Sequence, residues 1–206
     1  MPGGGDSGER SVKSDGARRL SEIVAARREG IVREWLARAL ASYPEHTARF
    51  LAQERDRFRN PVGHTFRQAL PSLFDELLGT TMDAARVART LDGIVRIRAV
   101  QDFTAGQSVG FLFALKKILR EALGVEGRGS PGAEALASLE DRIDDMVLLA
   151  FDLYMRCREQ LYQIRAAEAR RRASLQQGWH PMERPVDGTS RLGPEWACRM
   201  KEGDAG

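Results

Sequence analysis

Residues 133–176 read AEALASLEDRIDDMVLLAFDLYMRCREQLYQIRAAEARRRASLQ, and their spacing predicts one helix. At 1.5 Å per residue, a helix of roughly forty residues is about 60 Å long. One apolar seam runs through Leu136, Leu139, Ile143, Met146, Ala150, Leu153, Cys157 and Ile164 in steps of mostly three and four. A second set, Val147, Phe151, Tyr154, Leu161 and Tyr162, falls on a neighbouring face. One stripe covers one core, so a helix with two can serve its own domain and a partner. The expected interaction residues are therefore Val147, Phe151, Tyr154, Arg158, Leu161 and Tyr162. Charge is sorted as well. Glu134, Glu140, Asp141, Asp144, Asp145 and Asp152 occupy the first half, and Arg156, Arg158, Arg165, Arg170, Arg171 and Arg172 the second. That order complements the helix dipole.

Upstream, the pattern stays helical. A first helix is expected over about 17–43, with Leu20, Ile23, Val24, Ile31 and Trp35 on one side. Pro44 ends it and suits the first position of a short helix over about 45–57, anchored by Leu51 and Phe58. Asn60-Pro61 is a start signal: the Asn side chain accepts from free amides, and Pro loses nothing at the first helical position. Val62, Phe66, Ala69, Leu70, Leu73, Phe74 and Leu77 then trace a clean amphipathic face to Leu78, with Gly79 as the stop and Pro71 expected to bend the helix. Thr80 with Asp83 resembles a capping box for a helix to about Val100, and Thr104 with Gln107 a better one for a helix to Leu123. The latter is apolar nearly all round and is expected to be the central buried helix. Alternating strand patterns and internal repeats are missing. The fold class expected is all-α.

Composition bounds the partners. The 206 residues are 42% hydrophobic and 30% charged, with a formal net charge of +3. This fits a soluble domain with tails, and the positive excess is too small to imply nucleic acid. Two cysteines, Cys157 and Cys198, make no disulfide framework, so free thiols are expected. Residues 1–16 lack the apolar run of a secretory signal, and no uncharged run nears the ~20 residues that span a bilayer. The expectation is a cytoplasmic protein, not an integral membrane one. It divides into a disordered lead (1–16), a helical domain (17–176) and a flexible tail (177–206).

Two stretches carry a family resemblance. FRNPVGHTFRQALPSLFDELL (58–78) and IVRIRAVQDFTAGQSVGFLFALKKILREAL (94–123) resemble the RsbRD N-terminal domain of the RsbT co-antagonist proteins of stressosomes. The likeness covers about Leu20 to Arg165. Its motif residues are Asn60, Pro61 and Gly63, and Arg96, Arg98, Gln101, Asp102, Phe103 and Thr104. The resemblance implies a globin-like helical bundle with a long C-terminal helix, holding no haem and forming homodimers. In full-length relatives the last helix leads into a STAS domain that a kinase binds and phosphorylates. About thirty residues follow the helix here, too few for such a domain, so a stand-alone sensor or adaptor is expected. Similar stand-alone members occur beside genes for sulfur-respiration membrane complexes, which points to a respiratory complex subunit as the protein partner.

Each candidate site has a plainer reading. His64 invites a haem ligand in a globin-like fold, but it lies opposite the apolar stripe of its helix, and a surface or subunit-contact histidine is preferred. No cofactor is expected. His46 and His180 have no metal-ligand spacing with the cysteines. An anion could rest on the amides of the helix that Thr104 caps, helped by an arginine, but Arg98 pairing with Asp102 one turn on is the preferred account. Phe111 and Phe113 could line a ligand pocket, yet core packing explains them better. Arg170–Arg172 read as a solvated helix end rather than a phosphate or lipid site, without interleaved aromatics for stacking on bases. Trp179 and Trp196 in the tail suit a docking motif or a floppy tail equally. Nothing matches a nucleophile elbow, a phosphate loop or a zinc-protease helix, so no enzyme is expected.

Overall fold

The structure is a computed structural model and describes residues 18, 20–124 and 130–177. Among these every regular element is a helix. In order they are α1 (20–26), α2 (Arg28–Leu40), α3 (Glu45–Gln53), α4 (Pro61–Leu78), α5 (Ala84–Val100), α6 (Ala105–Leu123) and α7 (Ser130–Gln177). The all-α expectation, with a long C-terminal helix, holds. The lead at 1–16, part of the linker before α7, Cys198, His180 and the tail tryptophans Trp179 and Trp196 lie outside the described residues.

The chain forms two compact units, Met1–Arg165 and Ala166–Gly206. In the first, α2, α4, α5 and α6 enclose the core. Trp35 on α2 is fully buried, stacks on Phe111 of α6 at 6.1 Å between centroids, and donates its indole N–H to the Phe111 carbonyl at 2.7 Å. That bond satisfies the one polar atom that burying a Trp would strand. The described part of the second unit, residues 166–177, is the end of α7, with exposed side chains over 166–175. It carries an Arg172–Glu168 ion pair one turn apart.

The local signals are realised with some corrections. The expected first helix is interrupted by a turn at Arg27 and ends at Leu40. Pro44 is the residue before α3, not its first, and α3 stops at Gln53. Phe58 therefore belongs to a loop and is 81% exposed, with Arg57 lying 4.7 Å over its ring, so it anchors no helix. Pro71 sits inside α4 without ending it. Asp83, not Thr80, caps α5, accepting from the amides of Ala85 and Arg86. The Thr104–Gln107 capping box on α6 is present in both directions, and Gly124 closes α6 at φ 51°, where a Cβ would be strained. Phe113 is half exposed, so α6 buries a face and not its whole circumference.

α7 buries Ile143, Met146, Val147, Ala150, Tyr154 and Cys157, a single stripe at the i, i+3, i+4, i+7 spacing of a core-facing helix. Val147 and Tyr154, expected on a partner face, thus belong to the chain's own core, with Leu161 packed against it. Ile164, expected in the first seam, is exposed. The acids of the first half do more than complement a dipole. Glu140 takes Arg120 of α6 in a bidentate pair at 2.6 and 2.7 Å, and Asp144 takes Lys116 at 2.7 Å. Arg142 donates to the carbonyls of Leu77, Gly79 and Thr80, closing the C-terminal end of α4.

Candidate functional site

Both motifs mark corners between helices. At the α3–α4 corner Asn60 is buried. Its Oδ1 accepts from the Gly63 amide at 2.8 Å, while its Nδ2 donates to the Leu51 and Glu54 carbonyls, each at 2.9 Å. One side chain thus caps the start of α4 and ties down the end of α3. Arg67, two turns further along α4, donates to the same two carbonyls at 2.9 Å. Gly63 is required by space: a Cβ there would lie 2.4 Å from Asn60 Nδ2 and 2.5 Å from the Leu51 carbonyl. Pro61 opens α4. His64 is half-buried on the first turns of α4, and its backbone amide donates to Asn60 at 3.1 Å.

The α5–α6 corner is held differently. Arg98 on the last turn of α5 is completely buried. Its guanidinium lies 5.1–5.7 Å from the ring centroids of Tyr43, Phe66, Phe103 and Phe111. Its Nη1 donates to the Gln107 carbonyl at 2.7 Å, and its Nη2 to the Ala39 carbonyl at 3.0 Å and Ser42 Oγ at 2.9 Å. Among the described residues no carboxylate pairs with it, and Nε has no hydrogen-bond partner. Burial pushes its pKa down from the ordinary arginine value, with Tyr43 acting the other way. Ring faces and carbonyl oxygens carry the positive charge in place of a counter-ion. The expected Arg98–Asp102 pair does not form, because one group points into the core and the other into solvent.

Beyond Arg98 the chain turns sharply. Asp102 adopts φ 58°, a left-handed position usually given to glycine. The Phe103 amide donates back to the Arg98 carbonyl at 3.1 Å, closing the end of α5. Gln101 accepts from the Tyr43 hydroxyl at 3.1 Å, and Arg96 pairs with Asp92 at 3.1 Å on the outer face. The amides that an anion might have used are partly taken, since Thr104 and Gln107 cap each other.

α7 grips this corner from outside. The Tyr154 hydroxyl donates to the Phe103 carbonyl at 2.7 Å, and Arg158 Nη1 reaches Asp102 Oδ1 at 3.1 Å and the Ala99 carbonyl at 3.2 Å. Arg158 also donates to the Tyr162 hydroxyl at 3.1 Å, with its guanidinium 5.1 Å over that ring. Bonds to Tyr162 and then to Asp102 push its pKa above the ordinary arginine value. Along the same helix Leu148, Phe151, Met155 and Tyr162 are 66%, 42%, 50% and 58% exposed. With Arg158 they step by three and four. Asp152, Met155, Arg156, Arg158, Glu159, Tyr162 and Gln163 form an open surface on this side of α7.

Of the interaction residues expected from sequence, the structure brings Phe151, Arg158 and Tyr162 to this outer face, while Val147 and Tyr154 turn inward. Leu148 and Met155 belong to the outer stripe and were missed, although 148, 151, 155, 158 and 162 carry the three–four spacing. The aromatic cage was missed too, although Arg98 continues the buried register of Leu91, Ile94 and Val95 on α5. Among the described residues no cluster of three or more His, Cys, Asp or Glu is placed to hold a metal ion, and no helix is long and apolar enough to cross a membrane.

These features define an all-helical domain whose long last helix is wired by side chains to an inter-helix corner. Residues 29–169 match the family model described as the RsbT co-antagonist protein rsbRD N-terminal domain, and the chain belongs to that family. The matched span takes in both corner motifs and most of α7. The family is one of stressosome-type signalling domains. Comparison with curated proteins and with solved structures returned no match.

Proposed function

We propose that this chain is a non-enzymatic regulatory module that dimerises through the outer face of α7 and signals to a partner protein along that helix. The observation that carries the reading is the position of Arg158. It lies in register with the exposed apolar row, its own side chain 19% exposed, and it also holds Asp102 and the Ala99 carbonyl at the α5–α6 corner. A molecule seated on the stripe touches the same guanidinium that grips the corner. Displacement of α7 by a fraction of a helical turn changes both contacts together, and a ligand or partner that prefers one arrangement selects it. Family membership supports a sensory role, and Arg98 just inside the corner links it to α2 through Ala39 and Ser42.

The exposed face supports the dimer. Four large apolar side chains in one row are more than solitary surface hydrophobes, and rows of this kind mark contact sites. Sedimentation at tens of micromolar should show a dimer, and Met155→Glu should shift it to monomer without loss of helical circular dichroism. A wild-type chain that sediments as a strict monomer removes this version. The competing reading, a haem or small-ligand carrier built on His64, is tested by adding haem and looking for a Soret band.

A further inference from the structure

The loop between α3 and α4 holds a large apolar side chain away from the core, and we infer that this tip docks on a bilayer surface of anionic phospholipid, with Phe58 entering the headgroup layer and Arg55 and Arg57 meeting its phosphates. Phe58 is 81% exposed, more than any other large hydrophobic side chain among the described residues. Bonds fix it there. Asp56 Oδ1 accepts from the Phe58 amide at 2.7 Å, and the Asn60 amide donates back to the Asp56 carbonyl at 2.8 Å. Asn60 and Arg67 fasten the base of the loop through the Leu51 and Glu54 carbonyls. Phe50, on the last turn of α3, is also 41% exposed. α3 packs on α2 and α4, while α7 side chains engage α6, the α5–α6 corner and the far end of α4, so this tip and the α7 face are separate surfaces. The inference is thus independent of the dimer.

Charge decides the occupant. The acids nearby are engaged: Glu54 pairs with Arg59 at 3.1 Å, Glu45 pairs with Arg49 at 2.8 Å, and Asp56 holds the Phe58 amide. Among the described residues neither Arg55 nor Arg57 has a carboxylate partner. Arg57 instead lies with its guanidinium 4.7 Å over the Phe58 ring. Arg55 is exposed, and its charge adds to burial in pushing the pKa of Arg67 down. The tip therefore presents uncancelled positive charge around an exposed ring. An apolar group that enters the headgroup layer, with cations that meet its phosphates, is the two-signal pattern of a reversible surface anchor. A protein pocket fits less well. A protein contact of standard size draws on about 20–30 residues a side with matched shape, and the apolar part of this tip is two rings. A lipid surface needs no matching socket, and its charges can gather wherever the guanidinium groups reach.

Co-sedimentation of the full chain with sucrose-loaded vesicles tests this. Vesicles of phosphatidylcholine and phosphatidylglycerol at about 7:3 should bind it, more weakly as salt is raised, and vesicles of phosphatidylcholine alone should not. Phe58→Ser should lower the partition coefficient by about fivefold or more. Arg55→Gln and Arg57→Gln together should lower it about twenty-five-fold, at about fivefold for each charge. All three side chains are exposed, so the helical circular dichroism should stay the same. Arg170→Gln, Arg171→Gln and Arg172→Gln together should leave the partition coefficient within about twofold of wild type. Binding that survives Phe58→Ser unchanged, or that only the Arg170–Arg172 change removes, overturns the proposal, because another surface then meets the lipid. Absence of binding to the anionic vesicles overturns it as well and leaves the tip to a protein pocket.

Discussion

At the α3–α4 corner every tie comes from residues next to the turn: Asn60 and Arg67 hold the last carbonyls of α3, and Gly63 leaves them room. At the α5–α6 corner the ties come from far along the chain. Arg98 holds it from the core, reaching Ala39 and Ser42, and Tyr154 and Arg158 hold it from α7, more than fifty residues away. The first corner can be made by its own stretch of chain. The second exists only when α2, α5, α6 and α7 are all in place. A locally closed turn is suited to being scaffold. A turn held by a distant helix that also presents an exposed apolar row is suited to reporting what that helix binds.

Substitutions can break or sharpen this contrast. Arg98→Ala should have the largest effect, lowering unfolding free energy by roughly 3 kcal/mol or more in urea titration, because it opens a cavity among four rings and strips donors from buried carbonyls. Arg98→Met should recover a good part of that loss, since its stem fills the cage without burying a charge. Asn60→Ala should cost about 2 kcal/mol through the lost cap and buried bonds, with the sedimentation behaviour unchanged, because the scaffold corner does not touch the stripe. Tyr154→Phe should cost about 1 kcal/mol. Arg158→Ala should cost about 1 kcal/mol in urea titration through its lost ties to the corner, weaken the dimer by fivefold or more in sedimentation, and speed amide exchange at Phe103. Equal effects of Asn60→Ala and Arg158→Ala on the dimer would erase the distinction between the corners.

The smallest effect expected is a dependence on pH. Burial pushes the Tyr43 phenol above the ordinary tyrosine value, against the opposing influence of Arg98. The folded chain therefore favours the neutral phenol. Its contribution is whole below the unfolded value of about 10 and is lost as pH climbs through the raised one. The stability gap between wild type and Tyr43→Phe should narrow between pH 9 and 11 in parallel urea titrations.

Helix starts and stops were legible wherever a single side chain settles the backbone. Asn60, Thr104 and Gly124 act where their spacing placed them. Thr80 misled because Asp83 is itself a capping residue and can serve the helix alone. Phe58 misled because apolar character predicts burial only on average, and hydrogen bonds to Asp56 and around Asn60 hold that loop outside the core. On α7 the sequence showed more apolar residues than one stripe needs, but not which belong inside. Val147 and Tyr154 sit within one turn of Leu148 and Met155, and the choice between neighbouring faces depends on the helices they meet.

The amino-acid order alone determined the helices, their caps and the surplus of apolar surface on the last one, because these depend on residues within one or two turns of each other. Only the tertiary structure decided that Arg98 enters an aromatic cage, that Asp102 answers Arg158 instead, and that Leu148, Phe151, Met155 and Tyr162 remain outside. A charged side chain goes inward or outward according to the rings, carbonyls and carboxylates brought to it from elsewhere in the chain, and no local spacing contains that information.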